Sequence, residues 1–191
     1  MFILASASPQ RKTILKKLNV RFRTIPSHIS EVVRGVKTPE ELVRAIALKK
    51  ANHVAKNHPH EWVIGVDTLV FLANGRKAGK PKSKAEARKI IQQFSGSHCD
   101  VMSGMAIVCR KKKKQLFGFE TTRLFFRNVK SKEIENYLKT GEWKGRSGAM
   151  TLEGRGGAFV TRIVGDYWNV IGLPTLLFQR MKQSAKMAFG S

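Results

Sequence analysis

The sequence predicts a mixed α/β fold (α+β in detail), a central mixed sheet flanked by helices, and three observations carry that expectation. Short apolar runs of strand character alternate with segments whose apolar residues recur every 3.6 positions. Two long strand-like stretches, residues 99–109 and 116–126, are joined by a short polar run and form at least one antiparallel hairpin. The chain of 191 residues suffices for one domain with a substantial core and is too short for two of ordinary size. Residues 1–191 are therefore read as a single compact domain with room for two lobes.

Residues 2–5 form an apolar strand, followed by small residues and Pro9, after which Ile14, Leu15 and Leu18 fall at helical spacing. Residues 21–25 make a second strand with Phe22 and Thr24 on one face. Pro39 opens a long helix in which Leu42, Val43, Ile46, Ala47 and Val54 keep the helical period through the Lys49-Lys50 pair. Residues 62–66 are apolar enough for a buried strand, residues 69–72 are a candidate continuation, and Asn74-Gly75 marks a turn. Asp67 thus stands at the end of a core strand. Ser83 and Glu86 have capping-box spacing ahead of a helix carrying Ile90, Ile91 and Phe94, closed near Gly96. The run Arg110-Lys111-Lys112-Lys113-Lys114-Gln115 reads as a basic hairpin tip. Ile134, Tyr137 and Leu138 place a further short helix. Residues 141–157 are loop-rich with six glycines, a length that usually means function in a compact domain. Residues 158–164 read as a strand, and Pro174 starts a C-terminal helix with Leu176, Leu177 and Met181.

Composition is ordinary except in charge. Hydrophobic residues make up 42% and charged residues 26%, which excludes a largely disordered chain. Lys plus Arg number 36 against 13 Asp plus Glu, a formal net charge of +23, so the surface attracts polyanions: nucleotides, nucleic acids or acidic membrane surfaces. Cys99 and Cys109 build no disulfide framework and lack metal-ligand spacing, so both read as reduced structural thiols. No stretch has the pattern of a signal peptide or the length of a membrane span, and the cytoplasm is the expected compartment.

Three short constellations carry chemistry. In Ser6-Ala7-Ser8-Pro9-Gln10-Arg11-Lys12, Ser8 suits the N-cap and Pro9 the first helical position, so unpaired backbone N–H groups and the positive end of the helix dipole face whatever binds there. Such an end binds phosphate, and two hydroxyls and an Arg add charge-assisted contacts; an ordinary capped helix has the same sequence. In Gly65-Val66-Asp67-Thr68 a carboxylate reaches a sheet edge, where open α/β sheets bind ligands. It could hold a divalent cation, take a proton from water, or simply cap a turn. In Gly79-Lys80-Pro81 a lysine is presented from a conformationally restricted loop.

In order, these segments resemble the Maf-like nucleotide pyrophosphatases from end to end. Leu4-Ala5-Ser6-Ala7-Ser8-Pro9-Gln10-Arg11 is similar to the family's Ser-x-Ser-Pro-x-Arg signature, and Glu31 stands where the family has an acidic residue after the second strand. Lys50-Ala51, Gly65-Val66-Asp67-Thr68, Gly79-Lys80-Pro81 and Ser95-Gly96 match later motifs in the same order. Ser147-Gly148-Ala149, Glu153-Gly154 and Val170-Ile171-Gly172-Leu173-Pro174 resemble the C-terminal signature. The resemblance implies an elongated domain with an active-site cleft, hydrolysing a nucleoside triphosphate to the monophosphate and pyrophosphate. It implies Asp67 as proton acceptor, Ser6, Ser8, Arg11, Lys50 and Lys80 as substrate-binding groups, and Glu31 with Asp67 as ligands for Mg²⁺ or Mn²⁺. It further implies a homodimer and a link to septum formation.

Base choice in the family is associated with three positions, here Gln10, Thr68 and Glu153. Thr68 is similar to members acting on dTTP and UTP, Glu153 to those acting on 7-methyl-GTP, and Gln10 to neither. A glutamate only accepts hydrogen bonds and suits a base edge rich in donors, whereas glutamine does both. The expectation is a nucleoside triphosphate with a slight lean to dTTP and UTP. A rival of another class is a nucleic-acid-binding protein using the tip of residues 110–114, whose binding would weaken with salt and ignore Asp67.

Overall fold

The structure, a computed structural model, describes the backbone of residues 1–188 and the side chains of residues 1–184. Its strands are β1 (Phe2–Leu4), β2 (Phe22–Thr24), β3 (Trp62–Leu72), β4 (His98–Cys109), β5 (Lys114–Phe126) and β6 (Val160–Val164). The helices are α1 (Pro9–Lys17), α2 (Pro39–Ala55), α3 (Lys84–Phe94), α4 (Ser131–Thr140), α5 (Tyr167–Ile171) and α6 (Thr175–Ala188). The strands form one mixed sheet in the order β2-β1-β3-β4-β5-β6. β1 runs parallel to β2 and β3, with Phe2 level with Phe22 and Trp62, and β6 runs antiparallel to β5. The mixed α/β expectation is met. No helix among the described residues is long and apolar enough to cross a membrane.

The chain divides into two compact units, Met1–Thr68 with Ser103–Glu120 and Gly172–Ser191, and Leu69–Met102 with Thr121–Ile171. In the first, α2 is seated on the sheet by two glycines. A Cβ on Gly65 would lie 2.1 Å from the Ala47 carbonyl oxygen and 2.7 Å from the Ala51 nitrogen, and one on Gly104 would lie 1.9 Å from the Val43 carbonyl oxygen. Only glycine lets helix and sheet backbones approach so closely. Ile3, Ala47, Ala51, Val54, Val63, Ala106 and Val108 fill this contact, small residues under a close-lying helix. In the second unit α3 and α4 close over Val70, Leu124 and Phe126, with the Phe94 and Phe126 rings stacked at 4.9 Å.

Residues 69–72 do continue the strand before Asp67, so β3 is one run of 11 residues and Asp67 lies in its middle rather than at the expected strand end. The Asn74-Gly75 turn forms, with Gly75 at φ +79° and its N–H donating to the Leu72 carbonyl at 2.8 Å. Ser83 caps α3 by accepting from the Glu86 N–H at 3.1 Å; the Glu86 carboxylate accepts from Lys82 rather than from Ser83 itself. The strand expected over residues 158–164 begins only at Val160, because Arg155–Phe159 is a tight 3-10 turn. Helix α5 was not expected from the sequence: its five residues are too few for a periodic pattern, and it is started by Asp166, whose Oδ1 accepts from the Trp168 N–H at 2.8 Å.

Candidate active site

The loop after β1 is fixed by its neighbours. The Ala5 N–H donates to the Ile64 carbonyl at 2.8 Å, and the Ile25 N–H to the Leu4 carbonyl at 3.1 Å. Ser8 caps α1, its Oγ accepting from the Arg11 N–H at 3.4 Å and donating to Gln10 Oε1 at 3.4 Å. Ser6 is buried, and its Oγ accepts from the Ser8 N–H at 3.2 Å and from Arg11 Nη1 at 3.1 Å. The Arg11 guanidinium also donates from Nε to the Gly172 carbonyl at 2.8 Å and from Nη2 to Thr68 Oγ1 at 3.1 Å. Gly172, at φ +123°, holds a conformation closed to other residues, and this aims its carbonyl. Burial pulls the Arg11 pKa down while Asp67 and Glu31 push it back up; the group stays charged.

Thr68 is fixed from a second side by Ser103, a fully buried serine whose Oγ lies 2.8 Å from Thr68 Oγ1. The sequence reading did not single out Ser103. Its signal is a lone hydroxyl among the apolar residues of β4, where a buried polar atom needs a partner.

Beside this network stands an acid pair. Lys50, buried on α2, donates from Nζ to Glu31 Oε1 at 2.6 Å and to Asp67 Oδ1 at 2.7 Å. Asp67 is 4% exposed, and its second oxygen, Oδ2, is buried with no hydrogen-bond partner. Glu31 has 55% of its side chain exposed. Its loop is held by the preceding lysine: Lys49 Nζ donates to the carbonyls of Ser30 at 2.8 Å and Val32 at 3.2 Å, on either side of Glu31. The sequence shows the Lys49-Lys50 pair but not that the two share the work, one gripping backbone and the other carboxylates. Among the described residues no group of three or more His, Cys, Asp or Glu could hold a metal ion alone. A hard divalent cation held by one or two carboxylates and completed by ligand phosphates suits two acids with one unused buried oxygen.

Of the expected site residues, Ser6, Ser8, Gln10, Arg11 and Thr68 thus join one hydrogen-bonded network, and Glu31, Lys50 and Asp67 another. Lys80 and Glu153 belong to the second unit, and both are exposed. The Lys80 loop is pinned by Gly148, whose N–H reaches the carbonyls of Ala78 and Gly79, both at 3.1 Å. The Glu153 loop is tied by Glu142, which accepts from the Arg155 N–H at 2.9 Å and was not singled out in the sequence.

An α/β sheet that sets a fixed guanidinium just past the end of β1 and, midway along β3, a buried carboxylate bridged by a lysine to a second acid defines a class of protein suited to a phosphorylated ligand. The chain belongs to the Maf-like protein family, whose model matches residues 1–185. It is 42% identical over 172 residues to a dTTP/UTP pyrophosphatase of Geobacillus sp., covering 90% of this chain and 91% of that protein. It is 39% identical over 172 residues to a dTTP/UTP pyrophosphatase of Clostridioides difficile, covering 90% and 88%. Among solved structures it is similar to a nucleoside-triphosphatase / dITP/XTP pyrophosphatase of Mycobacterium abscessus, at 14% identity and TM-score 0.46 over 67% of this chain and 75% of that one.

Proposed function

We infer that the protein is a nucleoside triphosphate pyrophosphatase, cleaving its substrate to the monophosphate and pyrophosphate, with dTTP and UTP as its preferred substrates. The observation that carries this reading is Asp67, a buried carboxylate with one oxygen held by Lys50 and the other unpartnered, beside a fixed arginine. The names of the relatives support the substrate class.

In this reading Asp67 Oδ2 accepts a proton from water as the water oxygen bonds to the α-phosphorus. The bond from that phosphorus to its bridging oxygen then breaks, and pyrophosphate leaves with the electron pair. Lys50 orients Asp67 through its bond to Oδ1, and its third N–H is available to a phosphate oxygen. Arg11 uses three of its five N–H groups in the bonds described and offers the others to the phosphates, while Ser6 and Ser8 fix its position. Glu31 and Asp67 would hold Mg²⁺ or Mn²⁺, which when bound neutralises phosphate charge and acidifies water. Thr68, tied into the Arg11 network, favours the pyrimidine group, whereas Gln10 and the exposed Glu153 leave the base edge open to test.

The test is a panel of nucleoside triphosphates incubated with Mg²⁺ or Mn²⁺, scored for pyrophosphate against orthophosphate. Pyrophosphate with dTTP and UTP ahead of 7-methyl-GTP is expected. Orthophosphate alone would refute the cleavage position.

A further inference from the structure

The reaction accounts for few of this chain's 36 cationic residues. Within the first unit, Ser6 and Arg11 follow the end of β1, and Asp67 lies five residues along β3 from Trp62, roughly 16 Å at about 3.3 Å per residue. The other end of these strands, where β1, β2 and β3 begin level with one another, is strongly basic. There the β4–β5 turn is bonded to the loop entering β3. The Lys111 N–H donates to the Pro59 carbonyl at 2.8 Å, and the Cys109 thiol sits 3.6 Å and 3.7 Å from the carbonyls of Pro59 and His60. The turn closes with the Lys113 N–H on the Arg110 carbonyl at 2.9 Å and places Lys113 at φ +50°, a conformation that Gly or Asn adopts more easily. Arg110, Lys111, Lys112, Lys113 and Lys114 are all exposed, and the adjoining loop adds Lys56. The one acid of that loop, Glu61, is engaged by Arg23.

From this turn β5 carries two aromatic residues outward. Phe117 and Phe119 are 50% and 39% exposed and, by strand alternation, share a face with a spacing of about 7 Å. Gly118 points the other way, toward Leu177 and Met181 of α6. The Arg44 guanidinium lies over the Phe119 ring at 5.6 Å, and pairing with β6 begins only at Arg123. Cations leading onto a pair of exposed rings on a strand are the chemistry of a surface that tracks a phosphate backbone and stacks its bases.

We propose that the β4–β5 turn and the exposed face of β5 form a binding surface for single-stranded nucleic acid, with residues 110–114 on the phosphates and Phe117 and Phe119 under the bases. A duplex keeps its bases stacked inside and would leave the rings unused. An anionic bilayer attracts the same lysines, but the turn itself carries no apolar side chain to insert, and a strand-borne pair of rings beside it suits stacked bases better than an acyl layer.

The experiment is fluorescence anisotropy of the full chain with 5′-hydroxyl RNA and DNA single strands of about 16 nucleotides, the upper site size of one such module. Binding is expected to weaken steeply with salt, to survive saturating non-hydrolysable triphosphate, and to be unchanged in Asp67→Asn. The triple variant Lys111→Gln, Lys113→Gln, Lys114→Gln should bind at least about tenfold more weakly, with the log–log salt slope flattened by roughly 0.7 per lost phosphate contact. Phe117→Ser with Phe119→Ser should weaken binding about fivefold or more at an unchanged slope, and both variants should keep pyrophosphatase turnover. If either combined variant fails to fold, Lys114→Gln and Phe117→Leu singly should each weaken binding about twofold. The proposal is overturned by displacement of the strand by triphosphate, by equal binding of wild type and variants, or by binding to phosphatidylserine vesicles without binding to oligonucleotides. It is equally overturned if the Phe variants only dissociate a homodimer.

Discussion

At the scale of single residues, the proposed mechanism makes Asp67 the position at which stability and catalysis separate. Asparagine keeps the oxygen that accepts from Lys50 Nζ at 2.7 Å, so Asp67→Asn should stay folded while losing the proposed proton acceptor at Oδ2. Turnover should fall at least about a hundredfold, the loss of some 2.7–4 kcal/mol typical of removing one preorganised charged group. A folded variant, by circular dichroism, with near wild-type pyrophosphate release would take Asp67 out of the mechanism. Lys49 acts one step away, holding the carbonyls that flank Glu31. If Glu31 is the metal ligand proposed above, Lys49→Met should raise the half-saturating Mg²⁺ concentration by about tenfold, the usual effect of losing a partner behind such a ligand, and leave turnover at saturating Mg²⁺ within about twofold. Titration of activity against Mg²⁺ checks this, and an unchanged midpoint would make Lys49 a plain surface lysine. Asp67, Lys50 and Arg11 were legible in the sequence because their motifs occur in order. Lys49 and Ser103 were not, because what an exposed lysine reaches across the Glu31 loop, and which strand hydroxyl meets Thr68, depends on where that loop and β4 sit.

At the scale of elements, the acid pair exists because α2 lies close on β3. Gly65 permits this, and Gly65→Ala would put a methyl 2.1 Å from the Ala47 carbonyl oxygen, forcing the helix outward and drawing Lys50 from Asp67. Overpacking of this kind costs about 1–3 kcal/mol, so Tm should fall by roughly 2–10 °C together with activity. A variant with unaltered Tm in calorimetry would mean that α2 is not seated there. The second unit supplies a pH test. Arg127 and the Lys130 N–H hold the Glu133 carboxyl down at about 2, from an ordinary value of 4.5. A carboxyl depressed on folding stabilises above its unfolded value, and that contribution disappears as pH falls from about 4.5 to about 2. Glu133→Gln should therefore be less stable than wild type at pH 7, and the gap should close on acidification in urea titrations. A constant gap would assign the effect to packing. The helices were readable to within a residue or two where caps and periodicity agree, as at Pro39 and Ser83. The continuation of β3 through Asp67-Thr68 was left open because polar residues interrupt the apolar run. Pairing with β1 stops at Ile64, and only the neighbour on the other side, β4, accompanies the strand further.

At the scale of the whole molecule, the charge of +23 was plain in the sequence, while its distribution was not. Folding sets the cations of residues 110–114 at the end of the first unit's strands opposite Ser6 and Arg11, so few of them touch a triphosphate directly. Their field still acts at a distance. A long-range field raises the local concentration of an anionic substrate and the rate of encounter, without altering the barrier once the substrate is bound. Screening shortens its reach from about 30 Å at 0.01 M salt to about 8 Å at 0.15 M. Raising monovalent salt across that range at fixed free Mg²⁺ should lower kcat/KM by about tenfold and leave kcat within about twofold. The lysine-turn triple variant should show a shallower dependence, since it removes three of the charges that build the field. A kcat that falls in step with kcat/KM would locate the salt effect in the bound complex, at Arg11 and the Lys50 acid pair, and would separate the net charge from substrate capture.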